Sequence, residues 1–238
     1  MKKVIKYILI LTLTLFLVVV IGLFIYTSNS YNAQKSMNEE IELYDLSLLT
    51  VFEDFDQISY YVDDPIKNIV FIPGGKVNPE SYRYLAVKLA LSGYDVTIVK
   101  PLFNLAILTP NYSKRFLSNE KENVVVGHSL GGTVASLVAT NHKNISEIVF
   151  LASYPIRDVS SQQVLMITAE FDLVLDKTKV EESKNYLGQS VQFYEIIGGN
   201  QAQFGWYGNQ KKDGDASIST KTQQDLVVKA ILDFIGNQ

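Results

Sequence analysis

The residues with the plainest capacity for chemistry are Gly127-His128-Ser129-Leu130-Gly131-Gly132, preceded by the apolar run Val124-Val125-Val126 and followed by a helical pattern. A G-x-S-x-G pattern between a buried strand and a helix sets its serine on a sharp turn with strained backbone angles. Small residues two before and two after the serine let the helix approach the strand, and Gly127 and Gly131 supply that room. Such a turn raises the Ser129 hydroxyl above the sheet. The Leu130 N–H, at the helix N-terminus, then faces the oxyanion that develops when a serine attacks an acyl carbon. A second donor is expected from the loop after an earlier strand. Phe71-Ile72-Pro73-Gly74-Gly75-Lys76 is such a loop, with the N–H of Gly75 or Lys76 as the donor. The chemistry is acyl transfer with Ser129 as nucleophile. A dinucleotide-binding loop is set aside, because it needs a glycine where Ser129 stands.

Placing these groups at one rim requires alternating strands and helices. Strand-like runs at 68–72, 94–99, 124–126, 147–151, 163–168 and 191–197 are interspersed with helical patterns at 79–91, 129–141 and 222–234. The first of these helices has Asn78 as N-cap, Pro79 at its first position and Gly93 just past its end. The strands are apolar nearly throughout, which fits strands covered on both faces in a mainly parallel sheet flanked by helices. Segments 41–46 and 58–62 are expected to add antiparallel edge strands. The loop 198–217 carries Phe204, Trp206 and Tyr207, either lining a pocket mouth or tucked beneath the loop as a satellite core.

At the N-terminus, Lys2, Lys3 and Lys6 precede an uncharged apolar run over 7–26, which as a helix spans roughly 30 Å. That length favours an uncleaved signal anchor over a cleaved signal peptide, and the lysines predict a cytoplasmic N-terminus with the rest of the chain across the membrane. The predicted organisation is a transmembrane helix at 1–26, a polar linker at 27–40 and one α/β domain at 41–238. A net charge of -4 without a basic run argues against nucleic acid as a partner. The absence of cysteine excludes disulfides and thiolate nucleophiles, and only His128 and His142 remain as imidazoles, so neither a Cys-ligated nor a His-rich metal site is expected. No cofactor is implied.

From about residue 68 to 224 the sequence resembles the α/β-hydrolase family, in the branch related to dienelactone hydrolases. The matching runs are Pro73-Gly74-Gly75-Lys76-Val77 with Pro79-Glu80 and Tyr82, the Gly127 to Gly132 run, and Ala152-Ser153-Tyr154-Pro155. A last run is Gly198-Gly199-Asn200-Gln201-Ala202-Gln203-Phe204-Gly205, continuing through Tyr207-Gly208, Gln210 and Asp213 to Gln223-Gln224. The resemblance implies the α/β-hydrolase fold and a triad in the chain order serine, acid, histidine. Asp172 fits the acid, with Glu170 and Asp176 as alternatives; the family's glycine at 169 is Ala169 here. Where the family has histidine in the last run, this chain has Gln201.

A serine hydroxyl needs a neighbour that takes its proton and later returns it, and an amide does neither. His128 adjoins Ser129 on the same turn, and His142 lies roughly 20 Å down the following helix, so neither replaces the base. The implied activity is hydrolysis of a carboxylic ester, lactone or similar small acyl substrate outside the membrane, impaired by Gln201. The alternative is a non-catalytic relative that binds a small ligand or a cell-surface partner.

Overall fold

The computed structural model describes residues 2–140, 142 and 144–236. It divides into two units, Met1–Ser30 and Tyr31–Gln238. The first is a single helix, α1 (Lys2–Ser28), long and apolar enough to cross a membrane. At ~1.5 Å per residue its length is ample for a bilayer. Length and composition fit a membrane anchor or a signal sequence.

The second unit is built on an eight-stranded sheet. Its elements are α2 (Lys35–Ile41), β1 (Thr50–Glu53), β2 (Gln57–Tyr61), β3 (Asn68–Ile72), α3 (Arg83–Ala90), β4 (Asp95–Val99), β5 (Asn123–His128), α4 (Leu130–Ala139), β6 (Ile145–Leu151), β7 (Gln163–Ala169), α5 (Lys177–Ser183), β8 (Val191–Ile196) and α6 (Thr220–Gly236). The strand order is β1-β2-β4-β3-β5-β6-β7-β8, antiparallel for β1 with β2 and β2 with β4 and parallel from β4 onward.

The unbroken apolarity of the inner strands has a simple cause. Ile69, Phe71, Val124 and Val126 point into the core beneath α3 and α6, while Val70, Ile72 and Val125 point into a second core beneath α4. Because side chains alternate across a strand, a sheet covered on both faces needs an apolar residue at every position. This is the α/β-hydrolase architecture expected from the sequence.

Three local expectations are corrected. The segment 27–40 is not simply a linker: residues 35–41 form α2, Met37 is buried, and Ile41 joins the α3 side of the core. Trp206 Nε1 donates to Ser36 Oγ at 3.1 Å, and the Trp206 carbonyl accepts the Gln34 N–H at 2.9 Å. The apolar positions of α2 are too few for a periodic signal, so only tertiary packing reveals them. Residues 41–46 are not a strand but the end of α2 and the turn after it; the edge strand is β1, further along. The helix predicted over 79–91 begins as a 3-10 turn at Pro79–Tyr82, capped by Asn78 Oδ1 accepting from Glu80 N–H, and becomes α-helical at Arg83.

Candidate active site

The turn from β5 to α4 has the geometry that the sequence motif demands. Ser129 sits at φ 51°, ψ -122°, a left-handed backbone that a non-glycine residue adopts only under strain. The strain is held from several sides. Ser129 N–H donates to the Leu151 carbonyl at 2.9 Å, and the Ser129 carbonyl accepts from Gly132 N–H at 3.0 Å and from Ser153 Oγ at 2.6 Å. Close approach explains the glycines. A Cβ on Gly131 would lie 2.2 Å from the Ile72 carbonyl oxygen, and one on Gly127 would lie 2.5 Å from the Gly131 carbonyl oxygen.

Ser129 is half-buried and opens into a cavity of about 210 Å³ walled by Leu130, Thr133, Ala152, Tyr154, Val174 and Gln201, among others. The loop 73–76 lies beside Leu130: a Cβ on Gly75 would come within 2.9 Å of Leu130 Cδ2. The sequence left Gly75 and Lys76 open as donors. Lys76 is corrected here, since its N–H goes to the Asn104 carbonyl at 2.9 Å, which leaves Gly75 as the loop N–H beside Leu130.

His128 is fully buried under the turn. Its Nδ1 lies 2.8 Å from Tyr82 Oη, which also accepts Gly74 N–H at 3.0 Å. Phe204 and Tyr207 flank the ring. Burial pushes its pKa down to about 3, with the Gln201 carbonyl opposing weakly. It is a neutral core residue that ties the 73–76 loop to β5. His142 lies beyond the far end of α4, so neither imidazole reaches Ser129.

Of the three carboxylates considered for the acid, Asp172 alone is buried. Its Oδ1 accepts the N–H groups of Val174 at 2.8 Å and Leu175 at 2.9 Å, whereas Oδ2 is buried without a hydrogen-bond partner among the described residues. Burial pushes its pKa up to about 6, against the lowering by those two N–H groups, and Asp213 nearby adds to the rise. Glu170 is exposed and accepts Gly198 N–H, and Asp176 is exposed and caps α5.

Gln201 is also buried, and its Oε1 has no partner among the described residues. The backbone around it is fixed by amide side chains. Gln223 takes Asn200 N–H at 3.0 Å and donates to the Asn200 carbonyl at 2.8 Å, while Gln224 donates to the Gln203 carbonyl at 2.8 Å. The Asp172 and Gln201 loops run side by side, with Phe171 N–H on the Gly199 carbonyl at 2.9 Å. Asp213 bridges them, accepting Ala202 N–H at 2.8 Å and, at 3.4 Å, the N–H groups of Leu173 and Gln201. Asp213 falls within the last family-like run, but this role was not legible there, because one acid in a polar loop has no local pattern to distinguish it. The aromatics Phe204, Trp206 and Tyr207 are all buried and belong to the main core on the α3 and α6 side, so they form neither the pocket mouth nor a separate satellite core.

Ser129, Leu130 and Gln201 thus share one cavity, Gly75 adjoins it, and Asp172 stands in the loop next to Gln201. The sequence profile of the alpha/beta hydrolase family matches residues 68–225, and the chain belongs to that family. No curated protein matches it in sequence. Similar solved structures include a predicted CIB-like hydrolase from Thermoplasma acidophilum, 13% identical, covering 78% of this chain and 99% of its own, with TM-score 0.55. Dienelactone hydrolase from Anabaena variabilis is 12% identical over 79% of this chain and 99% of its own, with TM-score 0.54. A hyperthermophilic esterase from the archaeon Pyrobaculum calidifontis is 15% identical over 83% of this chain and 90% of its own, with TM-score 0.54. At these identities the likeness is one of fold: a hydrolase-type α/β fold resembling esterases and dienelactone hydrolase.

Proposed function

We propose that the domain is a serine-hydrolase-type site for a carboxylic ester, lactone or similar small acyl substrate, slowed because Gln201 occupies the place of the base. Ser129 Oγ is the nucleophile, Leu130 and Gly75 N–H receive the oxyanion, and Asp172 is the acid that would orient an imidazole at position 201. The observation that carries this reading is a pair of orphaned oxygens. Asp172 Oδ2 and Gln201 Oε1 are both buried on adjoining loops without a donor among the described residues. Buried polar atoms are nearly always satisfied, and unsatisfied ones mark a site built for something else. An imidazole at 201 would give its N–H to Asp172 and present its other nitrogen to Ser129.

With a carboxamide there, the Ser129 proton has no side chain to accept it when the acyl carbon is attacked, and none to deliver it to the leaving group. Oxyanion stabilisation and binding alone sustain about 10³ to 10⁴-fold acceleration over water in such sites. The test is ester hydrolysis by the chain as it stands, by Gln201→His, and by Gln201→His with Ser129→Ala. Gln201→His should gain about 10²-fold or more, the span typical of general base catalysis, and the second change should abolish the gain. Efficient hydrolysis by the unaltered chain would overturn the assignment of Gln201.

A second reading is favoured by the same carboxamide: a non-catalytic relative that binds a small ligand or cell-surface partner through the cavity. It predicts no gain with Gln201→His. In either reading α1 serves as an uncleaved single-pass anchor, with Lys2, Lys3 and Lys6 on the cytoplasmic side and the domain outside.

A further inference from the structure

The Ser129 cavity lies where the connections leave the C-terminal ends of the parallel strands, and those connections hold large apolar side chains in water. Leu102, Ile107 and Leu108 follow β4, and Leu173 and Val174 follow β7. Phe55 precedes β2, whose first residue pairs with Val99 at the end of β4. Phe55 is 80% exposed, Leu173 71% and Leu102 59%. They lie at the same end of the sheet as the site. Val174 lines the cavity, and Asn104 takes the Lys76 N–H beside Gly75.

The chain joins the domain at this same rim. Tyr31 N–H donates to the Lys76 carbonyl at 2.8 Å, and Asn78 N–H donates to the Tyr31 carbonyl at 2.8 Å. The Tyr31 ring lies 5.4 Å from that of Tyr207, and its hydroxyl accepts Lys211 N–H at 3.2 Å. The first residue of the domain is therefore sewn to the loop that holds Gly75. Only Asn29 and Ser30 separate it from Ser28, the last residue of α1, a reach of at most about 11 Å.

We propose that this rim docks on the lipid bilayer that α1 spans, so that the Ser129 cavity takes its acyl ligand from the membrane rather than from bulk water. The occupant of the apolar rim is lipid because the tether is short and is fastened at the rim, and because apolar side chains ringed by polar surface favour an interface of that kind. The inference rests on the anchor reading above and narrows the ligand class of the same site to membrane-borne acyl amphiphiles.

The chain has no cysteine, so single cysteines can carry a nitroxide without background. The full chain in vesicles of phosphatidylcholine and phosphatidylglycerol is labelled in turn at Leu15→Cys, Leu102→Cys, Leu173→Cys and Ile66→Cys. Ile66 is exposed and lies just before β3, at the N-terminal end of the parallel strands, opposite to the site. Labels at 15, 102 and 173 should be shielded from a water-borne nickel chelate by at least about 3-fold relative to the label at 66, as expected for side chains at or below the headgroups. Labels at 102 and 173 as accessible as the one at 66, with 15 shielded, would overturn the docking alone. An accessible label at 15 would overturn both the docking and the anchor. Hydrolysis of a soluble ester in detergent by Gln201→His judges the catalytic reading separately.

Discussion

Asp172 holds a carboxyl group in a place that does not suit its charge. Two N–H groups satisfy Oδ1, Oδ2 has no partner among the described residues, and burial pushes its pKa up to about 6 from an ordinary value of 3.8. The sign of the consequence follows from proton linkage. Below the ordinary value, the group is neutral in the folded and unfolded chain and costs nothing. As pH rises towards about 6 the unfolded chain releases the proton while the folded chain keeps it, so stability falls. Above that the full cost stands, on the order of 3 kcal/mol at 1.36 kcal/mol per unit. Asp172→Asn keeps the Oδ1 acceptor and removes the charge. It should stabilise the chain by about 2–3 kcal/mol at pH 8 and by little near pH 3.5, read from denaturant midpoints across pH. An equal effect at both pH values would show that the charge is not the cause. In a Gln201→His background the advantage should shrink, because an imidazole N–H would then satisfy Oδ2.

The strand, turn and helix at 123–139 do the positioning, and their tolerance is set by backbone rather than by side chains. Because a Cβ on Gly131 would meet the carbonyl oxygens of Ile72 and Pro73 at 2.2 and 2.4 Å, Gly131→Ala must push α4 off β3. Overpacking costs typically 1–3 kcal/mol where side chains can yield, and here backbone must move, so a loss of about 3 kcal/mol or more in urea unfolding is expected. Gly22→Ala, in α1 with no neighbour within 4 Å of its added methyl, is the contrasting control and should leave the unfolding of the domain unchanged. This element was legible in the sequence because its constraint is local: a strand, a tight turn and a helix leave a pattern of glycines and valines a few residues apart. The choice between Gly75 and Lys76 was not legible. It depends on Asn104, about 30 residues away in sequence, accepting the Lys76 N–H. Asp213 was equally silent, since the four backbone N–H groups it gathers come from three segments.

Across the whole molecule the boundary between the N-terminal helix and the domain falls at Tyr31, and this can be measured. Removing residues 1–30 should leave the domain folded with its stability unchanged, whereas removing 1–41 strips Met37 and Ile41 from the core along with the Tyr31 and Ser36 hydrogen bonds. Burial of one such apolar side chain contributes roughly 1.5–3 kcal/mol, so the shorter chain should lose several kcal/mol in thermal unfolding. Equal stability of the two would return 31–41 to the status of a linker. The amino-acid order alone determined the α/β architecture, the turn at Ser129, the apolar N-terminal helix and the carboxamide at 201. Each is written in residues that are near neighbours, through the periods of strand and helix. Only the tertiary structure decided that Gln201 lines the Ser129 cavity, that Asp172 is buried on the adjoining loop, and that residues 31–41 pack on the domain. Those outcomes depend on which distant segments meet, and chain order records such meetings only through packing and hydrogen bonds that form once the sheet is assembled.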